Sequence, residues 1–162
     1  MPLRPSSSEH AARARADLRI GVPVLLCGGG SAAIVCAAET VSRDRLSALR
    51  ALGGVLDLAI TARRAETLRA RSYDGDLARV AVPDDADTGW IRATADPSRD
   101  LEFPMKGPYQ SRREGPADLH RAVLRHLIRD DGEPVRTPER FAATVARVEA
   151  HLLPTAAATL GT

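Results

Sequence analysis

The chain has 162 residues, of which 44% are apolar, which is enough for one globular domain with its own core and too few for two comfortable domains. Its 23 basic and 21 acidic residues leave a formal net charge of +2, which argues against a nucleic-acid partner. The chain has only two cysteines, and its first segment has no apolar stretch of the kind found in secretory signals. No apolar run approaches the ~20 residues of a membrane span. We therefore expect a cytoplasmic protein without disulfides or a membrane partner.

The first half of the sequence alternates between helix and strand patterns. We expect a disordered tail at residues 1–9 and a single domain at residues 10–153. The predicted elements are a helix in EHAARARADLRIG, strands at 22–26 and 34–37 around three glycines, a helix capped by Ser42 and ended by Gly53 and Gly54, a strand in VLDLAIT and a helix in ARRAETLRAR.

The second half gives weaker signals. Between 72 and 104 only DLARVAV reads as a strand, and the region around Trp90 reads as loops. A helix is predicted from about 116 to 132, and a second over 137–152 with Thr137 as its N-cap. Residues 154–162 read as a tail. The interleaved pattern predicts an α/β or α+β domain.

The order of elements in the first half resembles that in the N-terminal half of the 3,4-dihydroxy-2-butanone 4-phosphate synthases, which act on ribulose 5-phosphate in riboflavin biosynthesis. That order is a helix, then GVPVLL, a loop, and AIVCAAETVSRDRLSALRALGGVLDLAITARRAETL. The matching positions are Ala38, Glu39, Gly54, Ile60 and Thr61. Later, DTG at 87–89 looks like the family's threonine–glycine turn, and RREGPADL stands where the family has Arg-Gly-Gly-His-Thr-Glu-Ala. The resemblance covers residues 10–130. It implies the synthase fold, with a mixed sheet flanked by helices, and a homodimer.

The resemblance also implies that the family's chemistry is lost. Family members hold Mg²⁺ with an acidic loop, because carboxylate oxygens suit that ion. Here the loop is replaced by CGGGSAA at 27–33, which contains no carboxylate. The family's metal-binding histidine aligns with Pro116, the next threonine with Ala117 and the glutamate with Asp118, and a phosphate-binding segment is missing after Gly89. We therefore expect no metal, no cofactor and no ordinary synthase activity.

Several residues remain candidates for a new site. Consecutive glycine amides can bind an anion, an activated thiolate is a nucleophile, a histidine can transfer protons, and arginines before a helix can bind phosphate or carboxylate. The candidate catalytic residues are Cys27, Glu39, Asp118 and His120, and the candidate substrate-binding residues are Gly29, Gly30, Ser31, Thr88, Arg112 and Arg113. The glycine loop, Cys27, His120 and the two arginines also have structural alternatives: a plain connection, a buried thiol or imidazole in the core, or a solvated arginine pair.

Two functions fit these observations. The first is a repurposed, metal-independent enzyme, lyase-like if active, that acts on a small polar or phosphorylated metabolite in specialised metabolism. The retention of Glu39, Arg113 and the turn at Thr88 favours it. The alternative is an inactive relative that serves as a binding or regulatory subunit of a flavin-pathway enzyme. The loss of every expected metal ligand favours this second function.

Overall fold

One five-stranded sheet organises the fold. The computed structural model describes residues 5–28, 31–104, 107–127 and 143–148. Its strands are β1 (Val24–Gly28), β2 (Ser31–Ala37), β3 (Leu56–Thr61), β4 (Leu77–Ala81) and β5 (Ala143–Val148). Its helices are α1 (Ser7–Arg19), α2 (Arg43–Ala51), α3 (Ala62–Thr67), α4 (Thr88–Ala95) and α5 (Asp118–Ala122), with a 3₁₀ turn at Pro97–Arg99 and a π-helical segment at Val123–Leu127 that continues α5.

The strand order across the sheet is β1-β2-β5-β3-β4. Every pairing within the described residues is antiparallel, so the class is α+β and the expected mixed sheet is corrected to an antiparallel one. The last strand of the described residues, β5, lies at the centre, between β2 and β3. Since antiparallel pairing needs no crossover helix, helices are free to cover either face.

Helices cover both faces of the sheet. The first face packs against α2, α3 and α4 through a core that includes Cys36, Leu46, Leu58, Ile60, Ala65, Val80 and Ile91. The second face packs against α1, α5 and the π-helical segment through Leu18, Ala33, Val35, Ala59 and Val123. Side chains alternate along a strand, so neighbouring residues of β3 serve different cores. The candidate site described below lies on the second face.

The helix ends follow the local signals in the sequence. The Ser42 hydroxyl accepts a hydrogen bond from the Arg45 N–H and begins α2, and Gly53 follows the helix with a φ of +71°. The Ser6 side chain and Glu9 form a capping box, so α1 begins at Ser7, inside the expected tail. A side-chain cap is worth about 1 kcal/mol, which explains the early start.

Arg64 joins α3 to the end of α4. Its side chain is 2% exposed, and its guanidinium group forms two hydrogen bonds of 2.7 Å with the Asp100 carboxylate. Its Nε donates to the Thr94 carbonyl at 2.8 Å, and Nη2 donates to the Ala93 carbonyl at 3.2 Å. The last carbonyls of α4 have no partner within their own helix, so Arg64 supplies their donors.

The structure differs from two further sequence expectations. The helix predicted over 137–152 is wrong at 143–148, which form β5, and the rest of its range lies outside the described residues. Pairing with strands on both sides satisfies the backbone of β5 and outweighs the helical pattern. The region around Trp90, expected as loops, contains α4, which is begun by the Asp87 carboxylate accepting from the Trp90 N–H. The predicted helix at 116–132 begins at Asp118, and its predicted end lies outside the described residues.

Candidate functional site

A buried carboxylate on the second face of the sheet contacts two of the candidate residues. The Asp57 side chain, on β3, is only 5% exposed. Its Oδ1 accepts a hydrogen bond of 2.7 Å from Arg112 Nε, and its Oδ2 lies 3.7 Å from His120 Nε2. We call Asp57, Arg112 and His120 the Asp57 cluster. A carboxylate this deeply buried needs a charged partner, and Arg112 provides it.

The chain brings Arg112 to this face by extending β4. The segment before α5 pairs with the outer edge of β4: Ala81 N–H donates to the Gln110 carbonyl at 2.8 Å, and Arg112 N–H donates to the Arg79 carbonyl at 2.7 Å. Ser111 is bridged to Val80, whose side chain belongs to the first core. Alternation along the extended segment therefore turns Arg112 to the second face.

Arg79 fixes the loop between this segment and α5. The side chain is 3% exposed and is held by two hydrogen bonds to the Asp74 carboxylate, at 2.8 and 3.1 Å. Its Nη1 donates to the Glu114 carbonyl at 3.2 Å and to the Pro116 carbonyl at 3.5 Å. The loop therefore delivers the first turn of α5, with His120, to a defined position over β3.

His120 is buried, as its place on the apolar face of the helix predicts. Its Nδ1 is inaccessible to solvent and has no hydrogen-bond partner among the described residues. The 3.7 Å between Nε2 and Asp57 is longer than a hydrogen bond but within ion-pair range. In the imidazole tautomer whose proton is on Nε2, facing Asp57, Nδ1 carries a lone pair. That atom can accept a proton if a ligand reaches it.

Arg112 reaches from the buried carboxylate to the surface. Its side chain is 41% exposed. Among the described contacts, Arg112 donates to Asp57 through Nε alone. The remaining donors of a guanidinium group match the two oxygens of a carboxylate or phosphate. Arg113 is exposed beside it, with its guanidinium carbon 5.9 Å from the centre of the Tyr73 ring. Two adjacent arginines, one of them anchored, have the charge and the donors to bind an anion.

The glycine segment lies at the tip of a hairpin. Gly28 pairs with Ser31, so β1 and β2 are separated by Gly29 and Gly30 alone, and these two lie outside the described residues. A Cβ built on Gly28 would lie 3.5 Å from the Leu119 side chain of α5. Cys27 is exposed and, by strand alternation, faces away from α5. The structure therefore brings the hairpin to α5 but turns Cys27 from His120.

Three other candidates lie apart from the Asp57 cluster. Glu39 is exposed in the turn after β2, and Thr88 is the first residue of α4, which packs on the other face of the sheet. Asp118 is exposed at the start of α5, with Oδ1 3.5 Å from Arg121 Nη1. The structure thus brings His120 and Arg112 together, with Arg113 next to Arg112 in the chain. It places Cys27, Glu39 and Thr88 elsewhere.

Sequence reasoning missed Asp57 and Arg79, which hold the site together. Both are charged residues inside short apolar strands, LDLAIT and LARVA, at positions that face a core. A charge in such a position is rarely tolerated without a partner, and this was the available signal. In the described part of the chain, no three His, Cys, Asp or Glu side chains are placed to hold a metal ion.

Comparison of this chain with protein-family models, with curated proteins and with solved structures finds no match. Across the residues that the structure describes, none of the helices has the length and apolar character needed to cross a membrane.

Proposed function

We propose that the protein is a metal-independent enzyme that transfers a proton within a small anionic metabolite. The observation that carries the proposal is the buried Asp57 carboxylate shared by Arg112 and His120, at 2.7 and 3.7 Å. We further propose, from the sequence resemblance, that the chain is a divergent relative of the dihydroxybutanone phosphate synthases and a cytoplasmic homodimer. In this proposal the acidic metal loop has been lost and a different site is used.

Arg112 is the anchor for the anionic group of the substrate. Asp57 fixes its Nε, so the guanidinium plane is held before a ligand arrives and loses little freedom on binding. Arg113 adds a second positive charge at the rim. Charge-assisted hydrogen bonds of this kind contribute about 1.5–3 kcal/mol each.

His120 is the proton-transfer group. Nδ1 takes a proton from the bound substrate, and the Asp57 carboxylate stabilises the imidazolium that forms. The same proton returns to the substrate or to its leaving group, so the imidazole is regenerated. Since Nδ1 is covered in this structure, the groups that cover it have to move before a substrate reaches it.

Proton exchange in D₂O tests this function before the natural substrate is known. A panel of sugar phosphates and small keto acids is incubated with the full chain, and loss of each acidic C–H signal is followed by proton NMR. At least one compound should exchange. His120→Gln should reduce the exchange at least 100-fold with binding retained, whereas Arg112→Ala should weaken binding by about 1–3 kcal/mol.

The matched control is His10→Gln, the same change at an exposed histidine on α1, which should leave the exchange rate unaltered. Equal exchange by wild type and His120→Gln would remove His120 from the mechanism. A panel without any binder would end the enzyme proposal. Ribulose 5-phosphate with Mg²⁺ should release no formate, and release at a rate typical of the synthases would contradict the proposed loss of that activity.

The second candidate function is a binding or regulatory subunit of a flavin-pathway enzyme. It is favoured by two apolar side chains on the loop after α4: Leu101 is 95% exposed and Phe103 is 43% exposed. Isolated apolar residues are common on surfaces, but two on one loop suit a protein contact. Co-purification with such an enzyme, lost on Leu101→Ser, would support this function, provided that no panel compound binds.

A further inference from the structure

A cavity on the opposite side of the sheet from the Asp57 cluster is not used by the proposed function. Its volume is about 620 Å³, within the range of small-molecule sites. The end of α3 forms one wall and the segment around Tyr109 forms another. The side chains that line the cavity include those of Leu68, Arg69, Asp100, Pro108 and Tyr109.

Arg69 adopts a backbone conformation that the chain elsewhere gives to glycine. Its φ is +56°, and it is the one residue other than glycine with a positive φ among the described residues. It follows α3 in a Schellman cap, in which Arg69 N–H donates to the Glu66 carbonyl and Ala70 N–H to the Ala65 carbonyl.

The same cap ends α1, with Gly21 at the corresponding position and a φ of +78°. After α2 the corresponding residue is Gly53, with a φ of +71°. A side chain at this position strains the backbone, and glycine relieves the strain. Departures from a local rule are expected where a side chain is needed for function, and this one lines the cavity.

The charges on the wall indicate the class of ligand. The Arg69 side chain is exposed and forms no ion pair or hydrogen bond within the described part of the chain. Asp100, the acidic residue of the wall, is already paired with Arg64 through two short hydrogen bonds. Burial raises the pKa of the Tyr109 hydroxyl, so its ring is a neutral aromatic surface at pH 7. Leu68 and Pro108 add further apolar surface.

We propose that this cavity binds a small molecule with an aromatic or apolar body and a terminal oxyanion, and that Arg69 binds the oxyanion. Arg69 offers a planar set of donors to a phosphate or carboxylate. The body packs on Tyr109 and Pro108. The site and the Asp57 cluster lie on different faces of the sheet, so either proposal can fail without the other.

Trp90 reports on the cavity directly. It is the only tryptophan of the chain, and its ring centre lies 6.0 Å from that of Tyr109 on the cavity wall. Phenyl phosphate, phenylacetate and inorganic phosphate are titrated separately against the full chain. Tryptophan fluorescence and isothermal calorimetry are recorded in each titration. Phenyl phosphate and phenylacetate distinguish the two oxyanions, and inorganic phosphate measures the contribution of the body.

One or both aromatic probes should bind with 1:1 stoichiometry and change the fluorescence, and inorganic phosphate should bind at least tenfold more weakly. Arg69→Gly should weaken probe binding at least tenfold and raise the Tm of the ligand-free protein, because the strain is relieved while the ligand contact is lost. The control Arg43→Ala removes an exposed arginine from α2, away from the cavity, and should leave the affinity within twofold.

Three results would overturn the proposal. They are no binding of either aromatic probe at millimolar concentration, binding by Arg69→Gly as tight as by wild type, and a Tm of Arg69→Gly below that of wild type. Arg112→Ala and His120→Gln should leave the probe affinity unchanged, since neither lines the cavity. If only these two variants reduce probe binding, the probes occupy the Asp57 cluster, and the cavity proposal fails while the proposed function stands.

Discussion

Replacing Arg64 by methionine should destabilise the protein strongly, because one buried guanidinium group serves three partners. Methionine retains much of the volume but no donor. The Thr94 and Ala93 carbonyls then lose their donors inside the core, and each loss lowers the free energy of unfolding by about 1 kcal/mol. Asp100 loses a bidentate partner, and its 31% exposure limits that contribution to about 1–2 kcal/mol.

The sum is a loss of about 3–4 kcal/mol in the free energy of unfolding, in line with the breaking of other buried ion pairs. For a domain of this size each kcal/mol changes the Tm by about 2–4 °C. Urea denaturation followed by far-UV circular dichroism and by Trp90 fluorescence measures the loss. Arg63→Met, the same change at an exposed neighbour on α3, should stay within about 0.5 kcal/mol.

A double-mutant cycle with Asp100→Asn separates the ion pair from the carbonyl contacts. The coupling energy should be about 1–2 kcal/mol, and the remaining loss belongs to the carbonyls of α4. A loss below about 1 kcal/mol in Arg64→Met would refute the reasoning, since it would mean that water or other groups replace the arginine without difficulty.

Two further predictions concern thiol reactivity and the helix caps. Burial raises the pKa of the Cys36 thiol, so this residue stays protonated. A thiol reagent should therefore label only the exposed Cys27 in the native protein, and both cysteines after unfolding. Labelling of the native Cys27→Ser variant would contradict this expectation. Gly53→Ala should lower the free energy of unfolding by about 1 kcal/mol, from its positive φ alone. Gly21→Ala should lower it more, because its Cβ would lie 2.9 Å from the Thr40 carbonyl oxygen. Equal losses in urea denaturation would contradict this contact.

The parts of the fold that the sequence predicted are those with local causes. Ser42 and Gly53 bracket α2 through contacts within a few residues, and the alternation of VLDLAIT is enough to place β3. The helix α4 has a local signal too, the Asp87 cap, but it is only eight residues long and contains glycine and β-branched residues. Its stability comes from packing and from Arg64, which sequence periodicity does not record.

The candidate site was only partly predictable for a different reason. His120 and Arg112 were recognised from residue type and helical position, but Asp57 joins them from a strand 55 residues before Arg112. Which face of β3 meets α5 depends on the sheet order, and that order depends on β5. Since β5 was predicted as a helix, the convergence of these side chains could not be derived from the sequence.

The central position of β5 also constrains the order of folding. Within the described sheet, β1 pairs with β2 and β3 with β4, and the contact between these two ribbons is made through β5. Residues 143–148 are synthesised after all four other strands. Until then, the edges of β2 and β3 that pair with β5 have no hydrogen-bonding partner strand. Pairing across more than 80 residues of chain carries a large loop-closure entropy and slows folding. Completion of the sheet is therefore a late event, and newly made chains depend on protection of those edges until it occurs.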